Sequence, residues 1–159
     1  MFDLINGLPV HPLVVHAVVV LLPLACLGTI AIALKPSWRA RYGLLVVACA
    51  ALATALLPVA TSSGEALEEH VGDPGQHAAL GEQLAWFAVP LLVLAAALVW
   101  FDRRGRSRGA GTVATRSTAT RVVAALALVA AVATSVQVYR VGDSGARAAW
   151  GDQVASSTP

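Results

Sequence analysis

The sequence predicts an all-helical integral membrane protein, folded as a bundle of four membrane-spanning helices. Of its 159 residues, 57% are hydrophobic and 13% are charged, whereas soluble domains average about 45–50% apolar and about 25% charged residues. This composition excludes a soluble globule and a disordered chain. We expect one transmembrane domain over residues 1–159, with no evident internal repeat. Its apolar stretches each approach the about 20 residues that cross a bilayer as a helix: 12–34, 42–60, 84–101 and 122–139.

The first two stretches have distinct beginnings and ends. Residues 12–34 lack the basic start, the short length and the cleavage site of a signal peptide, so we expect them to remain as the first span. In the second stretch, Ser62 and Glu65 fit a capping box. We therefore expect this span to break near Ser62 and to resume as a short polar helix that ends near His70.

The last two spans carry further signals for helix ends. Asp73 and Pro74 are typical of the N-cap and first positions of a helix, so the third helix is predicted to begin near Pro74 with His77 in its first turn. Gly142 is predicted to end the fourth span, because glycine is common after a helix terminus. Gly, Ser and Thr are abundant over residues 105–120, which predicts a flexible cytoplasmic loop.

The charge distribution predicts how the chain crosses the membrane. Eight of the nine acidic residues lie on the side of both termini. Nine of the eleven positive side chains lie in the two connections on the other side, which the positive-inside rule places in the cytoplasm: Lys35, Arg39, Arg41, Arg103, Arg104, Arg106, Arg108, Arg116 and Arg121. We therefore expect both termini to be extracytoplasmic, and the protein to lie in the lipid bilayer of a bacterial cytoplasmic membrane.

The histidines are the main functional candidates. All four, His11, His16, His70 and His77, fall at the extracytoplasmic ends of the spans. Ionisable residues at membrane depth are expensive, and neutral imidazole is a common metal and haem ligand. Two histidines on facing helices could hold one haem, with His16 and His77 as the leading pair and His11 next. We expect carboxylates to accept the remaining ring N–H groups: Glu65, Glu82 and Asp143.

Three functions remain open from these residues. The first is a protein that binds b-type haem and passes electrons to a protein partner at the extracytoplasmic face, without being an enzyme on its own. The second is a Cu or Zn site formed by His11, His16 and His77 with a carboxylate. The third is a non-catalytic membrane anchor or scaffold subunit in which the histidines are structural. None of the three predicts an oligomeric state.

Other activities are excluded by local sequence. Gly142-Asp143-Ser144-Gly145 copies the surroundings of a serine-protease nucleophile, but that chemistry needs a His and an Asp positioned on a larger β-barrel scaffold. The tetrapeptide instead follows a membrane helix, so we reject a protease. Membrane topology and anionic lipid account for the arginines, so we expect no nucleic-acid partner.

Several motifs together resemble one protein family. They are Gly7 to Leu13 continuing through His16, Gly64-Glu65, His77 to Glu82, and Gly142 to Ala146. In this combination, over nearly the whole chain, the sequence resembles the DUF2231 family of bacterial four-span membrane proteins. Relatives joined to extracytoplasmic Rieske-type or c-type haem domains imply a redox role. The chain departs from the family pattern at Ala78, where a Glu commonly follows the histidine.

Overall fold

The computed structural model describes residues 4–5, 8–72, 75–107 and 118–156, and the described part of the chain is almost entirely helical. Four helical stretches are long and apolar enough to cross a membrane, as predicted. The only strands within the described residues are a short antiparallel pair, β1 (Leu4–Ile5) and β2 (Leu8–Pro9). The helices are α1 (Val10–Leu34), α2 (Pro36–Val71), α3 (Gln76–Glu82), α4 (Leu84–Ser107) and α5 (Thr118–Ser156).

The four long helices form a ring in the order α1, α2, α4, α5. Each contacts the next, α5 also contacts α1, and α1 lies diagonally across from α4. We call the end where α1 and α3 begin, and α2 and α5 finish, the histidine end. The opposite end, where α1 and α4 finish, is the arginine end. Because α1 and α4 run opposite to α2 and α5, the chain consists of two antiparallel helical hairpins side by side.

Small side chains fill the centre of the bundle. The alanines at the helix contacts have no exposed surface, which allows the backbones to approach closely. They include Ala50, Ala53, Ala88, Ala95, Ala127 and Ala131. Large apolar side chains such as Val20, Leu45 and Val129 are instead exposed by 65–69% on the outside of the bundle. Small residues inside and large apolar residues outside are the pattern expected of a helix bundle that is surrounded by lipid.

Helix α2 is longer than the predicted span, and the predicted break near Ser62 is wrong. The helix runs without interruption from Pro36 to Val71. The Ser62 hydroxyl donates to the Pro58 carbonyl at 2.9 Å, one turn back within the helix, instead of capping a new one. Ser62 therefore lies inside a continuous helix and does not mark the beginning of a new one.

Helix α5 also continues beyond the predicted end at Gly142. It spans 39 residues from Thr118 to Ser156, or about 58 Å at 1.5 Å per residue, roughly twice the hydrocarbon thickness. Asp143 and Arg147 pair one turn apart on its continuation. Because α1 and α3 begin beside residues 60 and 141, the last turns of α2 and α5 project beyond them at the histidine end.

The third span is interrupted close to its beginning. His77 lies in the first turn of α3, as predicted, but α3 ends at Glu82 and a turn at Gln83 precedes α4. The predicted cap residues Asp73 and Pro74 lie outside the described residues.

The predicted loop 105–120 is helical at both ends. Helix α4 continues to Ser107 and α5 begins at Thr118, while residues 108–117 lie outside the described part of the chain. The predicted loop is therefore too long at both ends, because residues 105–107 and 118–120 are helical. An ion pair between Asp102 and Arg106, four residues apart on one helix face, supports the extension of α4.

Candidate cofactor site

A cavity of about 590 Å³ lies at the histidine end, between all five helices. Its volume is within the range of about 300–1,000 Å³ typical of small-molecule pockets. Three of the histidines singled out from the sequence, His11, His16 and His77, line it. Most of its wall is apolar and includes Val15, Val18, Leu57, Leu84, Val138 and Val141.

His11, on the first turn of α1, is held against α2. Its Nδ1–H donates to the Ala60 carbonyl at 2.9 Å and is within 3.3 Å of the Ser63 hydroxyl. The ring lies so close to Gly64 that a Cβ atom at this position would be 3.1 Å from the ring carbon Cε1. We call the Ala60 carbonyl, the Ser63 hydroxyl and Gly64 the His11 seat.

His77, on the first turn of α3, is held against α5 in the same manner. Its Nδ1–H donates to the Val141 carbonyl at 3.1 Å and is within 3.4 Å of the Ser144 hydroxyl. A Cβ atom at Gly145 would be 2.9 Å from Cε1 of the ring. The Val141 carbonyl, the Ser144 hydroxyl and Gly145 form the His77 seat.

Both seats fix which ring nitrogen carries the proton. A carbonyl oxygen can only accept a hydrogen bond, so Nδ1 is the protonated nitrogen and Nε2 of the neutral ring keeps its lone pair. Within the described part of the chain, neither Nε2 has a hydrogen-bond partner. In both residues Nε2 is therefore the ring nitrogen left without a protein partner, and both side chains line one cavity.

His16 lines the same cavity but is held differently. Its Nδ1–H donates to the carbonyl of Pro12 on its own helix, and its side chain is exposed, whereas His11 and His77 are half-buried. The side chain of His70 lies outside the described residues. The structure thus places His11 and His77 in equivalent surroundings and leaves His16 in a different one.

The carboxylates do not accept the ring N–H groups of His11 and His77, in contrast to the sequence-based expectation. Glu65 and Glu82 line the cavity, as does Glu68, which the sequence analysis did not single out. Asp143 instead accepts two hydrogen bonds from Arg147, at 2.9 and 3.2 Å. Within the residues that the structure describes, no group of three or more His, Cys, Asp and Glu side chains is arranged to hold a metal ion.

A buried glutamine fixes the position of α3. The Gln137 side chain on α5 is 1% exposed, and its amide donates to the Leu80 carbonyl of α3 at 3.0 Å. Arg140 donates to the Gln137 side-chain oxygen at 3.3 Å. Sequence reasoning missed Gln137, Ser63 and Ser144; the only available signal was that Ser-Gly occurs near the ends of both α2 and α5.

The class of protein follows from these features. Four apolar helices surround a cavity lined by two matched imidazoles, so the chain is a multi-pass membrane protein with a candidate cofactor site. A family model described as a predicted membrane protein (DUF2231) matches residues 7–158, and the chain belongs to this family. No curated protein and no solved structure matches the chain.

Proposed function

We propose that the protein binds a b-type haem in the cavity, held between His11 and His77, and carries electrons near the extracytoplasmic face of the membrane. One observation carries this proposal. Each imidazole donates its Nδ1–H to a backbone carbonyl of a neighbouring helix, which leaves Nε2 as the nitrogen that can bind a metal, and both side chains line the shared cavity.

The residues present fit such a group. Imidazole nitrogen is a usual axial ligand of haem iron, and a hydrogen bond from the other ring nitrogen to a carbonyl fixes the ring and raises its basicity. The apolar wall, including Leu57 and Leu84, suits a macrocycle. When bound, haem supplies one-electron redox chemistry, and the protein sets its position and surroundings.

Two arginines are next to cavity-lining residues along α5: Arg140 precedes Val141 and Arg147 follows Ala146. Arg140 and Arg147 lie on the part of α5 at the histidine end, and both are exposed. Arginine forms strong, often paired hydrogen bonds with carboxylates. Arg147 already pairs with Asp143, so a haem carboxylate would share or replace that partner.

The direction of transfer rests on the predicted topology. Because the positively charged connections indicate the cytoplasmic side, the histidine end is expected to face away from the cytoplasm. A haem in this cavity would then exchange electrons with a protein partner outside the cytoplasm. This proposal prefers His11 over His16 as the partner of His77, because only His11 and His77 share the same type of seat.

The absorption spectrum of the detergent-purified protein tests the proposal. After expression with ample haem, the oxidised and dithionite-reduced wild-type protein should show the bands of a six-coordinate low-spin b-type haem. His11→Ala and His77→Ala should each abolish this spectrum, and free imidazole should restore part of it by filling the vacated space. His16→Ala is the matched control on α1 and should retain the wild-type spectrum.

Four outcomes would contradict the proposal. Wild-type protein without a haem band, but with stoichiometric Cu or Zn lost in the same variants, would indicate the metal site. Wild-type protein with neither haem nor metal would indicate an anchor or scaffold subunit. A spectrum lost in His16→Ala but retained in His11→Ala would reassign the ligand pair. A spectrum retained in both His11→Ala and His77→Ala would reject both residues as ligands.

A further inference from the structure

The cavity is lined by two series of residues at a constant separation along the chain. On the helices that begin at the histidine end, the lining residues are 66 positions apart, as in 11 and 77, 15 and 81, or 18 and 84. On α2 and α5 they are 81 positions apart, as in 57 and 138, 60 and 141, or 64 and 145. Each hairpin therefore contributes nearly the same set of helix positions to the wall.

The local geometry repeats as well. The Nδ1-to-carbonyl distances are 2.9 and 3.1 Å, the Nδ1-to-hydroxyl distances 3.3 and 3.4 Å. In both seats the accepting carbonyl belongs to the residue three positions before the serine, and the glycine follows the serine directly. In both seats the serine hydroxyl also donates to that carbonyl, at 3.1 and 3.0 Å.

The arrangement of the helices agrees with a two-fold axis along the bundle. In the ring α1, α2, α4, α5, a half-turn exchanges α1 with α4 and α2 with α5. His77 lies on α3, which directly precedes α4, as His11 lies on the first turn of α1. The same half-turn therefore exchanges the His11 seat with the His77 seat across the cavity.

We infer that the two hairpins are two copies of one imidazole-holding unit, and that the ligand of the cavity lies on their shared axis and offers two equivalent faces. This inference rests on the proposed function and narrows it, because a planar metal-centred macrocycle has two opposite axial positions. A tetrahedral Cu or Zn ion on the axis would need further ligands beside the two imidazoles, and within the described residues no group of three or more His, Cys, Asp and Glu side chains is arranged to supply them. Ser63, Gly64, Ser144 and Gly145 are then positioning residues, which act through the histidines.

Substitution of the two seat glycines tests the equivalence. Gly64→Ala and Gly145→Ala each introduce a methyl group about 3 Å from an imidazole carbon. Each should weaken haem binding by about 10- to 100-fold, the range for losing a residue that orients a metal ligand. Gly105→Ala and Gly151→Ala are matched controls in open space and outside the cavity wall, and they should bind haem as the wild type does.

Substitution of the two seat serines is a second, independent test of the equivalence. Ser63→Ala and Ser144→Ala each remove a hydroxyl beside Nδ1, and the exposed Ser62→Ala is the control on α2. The two members of each pair should change haem affinity by the same factor, within about threefold. Loss of binding in the variants of one seat, with wild-type binding in those of the other, would overturn the inference.

The histidine tautomers give a readout that needs no haem. In protein labelled with ¹⁵N-histidine and prepared without haem, NMR should show His11 and His77 with the proton on Nδ1, and each glycine variant should shift the signals of its own histidine only. If haem fails to bind but both histidines carry the proton on Nδ1, the proposed function is wrong, whereas the equivalence of the two seats is supported. Different tautomers at the two sites would overturn the equivalence even in a protein that binds haem.

Discussion

At the scale of single residues, Arg39 shows how a charge can be accommodated inside a membrane protein. The residue is 3% exposed, and its guanidinium donates to the carbonyls of Ile32 at 2.9 Å and Ala33 at 3.2 Å. These carbonyls lie in the last turn of α1, where the helix itself provides no donors. Asp102 of α4, 3.6 Å away, balances the charge. One side chain thus joins three helices at the arginine end.

Loss of Arg39 should destabilise the fold. Arg39→Ala leaves two carbonyls without their donor and removes one of the two arginine partners of Asp102, so we expect the free energy of unfolding to fall by about 2–3 kcal/mol. Arg39→Lys should not restore it, because an ammonium group lacks the planar fork of donors. Denaturant titration in detergent measures the change, with the exposed Arg41→Ala as control. Wild-type stability of Arg39→Lys would show that charge alone suffices.

At the scale of helices, sequence signals identify the elements better than their ends. The four apolar stretches predict the four spans because length and hydropathy suffice for a membrane helix. The capping signals at Ser62 and Gly142 are misleading, because both residues lie inside continuous helices that pack against α1 and α3. The seats of His11 and His77 could not be predicted, since their main acceptors are backbone carbonyls, which any residue type provides.

Gly142 offers a direct test of the continuity of α5. In a helix interior with open space around it, Gly142→Ala should raise the free energy of unfolding by about 0.5–1 kcal/mol. The same change at a left-handed helix end would be destabilising, because alanine tolerates a positive φ poorly. Unfolding in detergent distinguishes the two. A less stable Gly142→Ala protein would support the helix end expected from the sequence.

The short helix α3 depends on Gln137. Gln137→Leu leaves the Leu80 carbonyl without its donor, at a cost of about 1–3 kcal/mol, and should loosen the segment that carries His77. Hydrogen exchange of residues 76–82 should therefore become faster, with a parallel loss of haem affinity. Val136→Ala, at the neighbouring position that is 55% exposed, is the control. Unchanged exchange over α3 in Gln137→Leu would rule out this anchoring role.

At the scale of the whole molecule, the two hairpins could not be recognised as a repeat from the sequence. The polar features that the two hairpins share reduce to one histidine and one Ser-Gly pair each, because spans rich in alanine, valine and leucine carry little information. The repeat is visible only in three dimensions, where equal helix positions meet at one cavity. Family membership and the four spans, in contrast, follow from the sequence.

The orientation of the molecule can be tested by labelling in intact cells. In a background with Cys26 and Cys49 replaced by alanine, Glu69→Cys and Ala148→Cys lie at exposed positions of the histidine end. Both should react with a membrane-impermeant thiol reagent, since the positive-inside rule places that end outside. Thr118→Cys, exposed at the arginine end, should react only after lysis. The reverse pattern would place the histidines in the cytoplasm.

The helix positions that line the cavity are related by an approximate two-fold axis, but the charged residues among them are not. Glu65 and Glu68 on α2 correspond to Ala146 and Ala149 on α5, so the carboxylates of this pair of helices lie on one side. Haem has unlike substituents around its ring, so if the cavity holds a haem as proposed, the matched imidazoles on its two faces would accept the ring in two orientational isomers related by a 180° flip. The symmetric lining positions alone would not distinguish the two isomers, so both would be populated. The uneven distribution of carboxylates would make one of them more populated than the other. The holoprotein should therefore show two sets of haem-methyl NMR signals of unequal intensity.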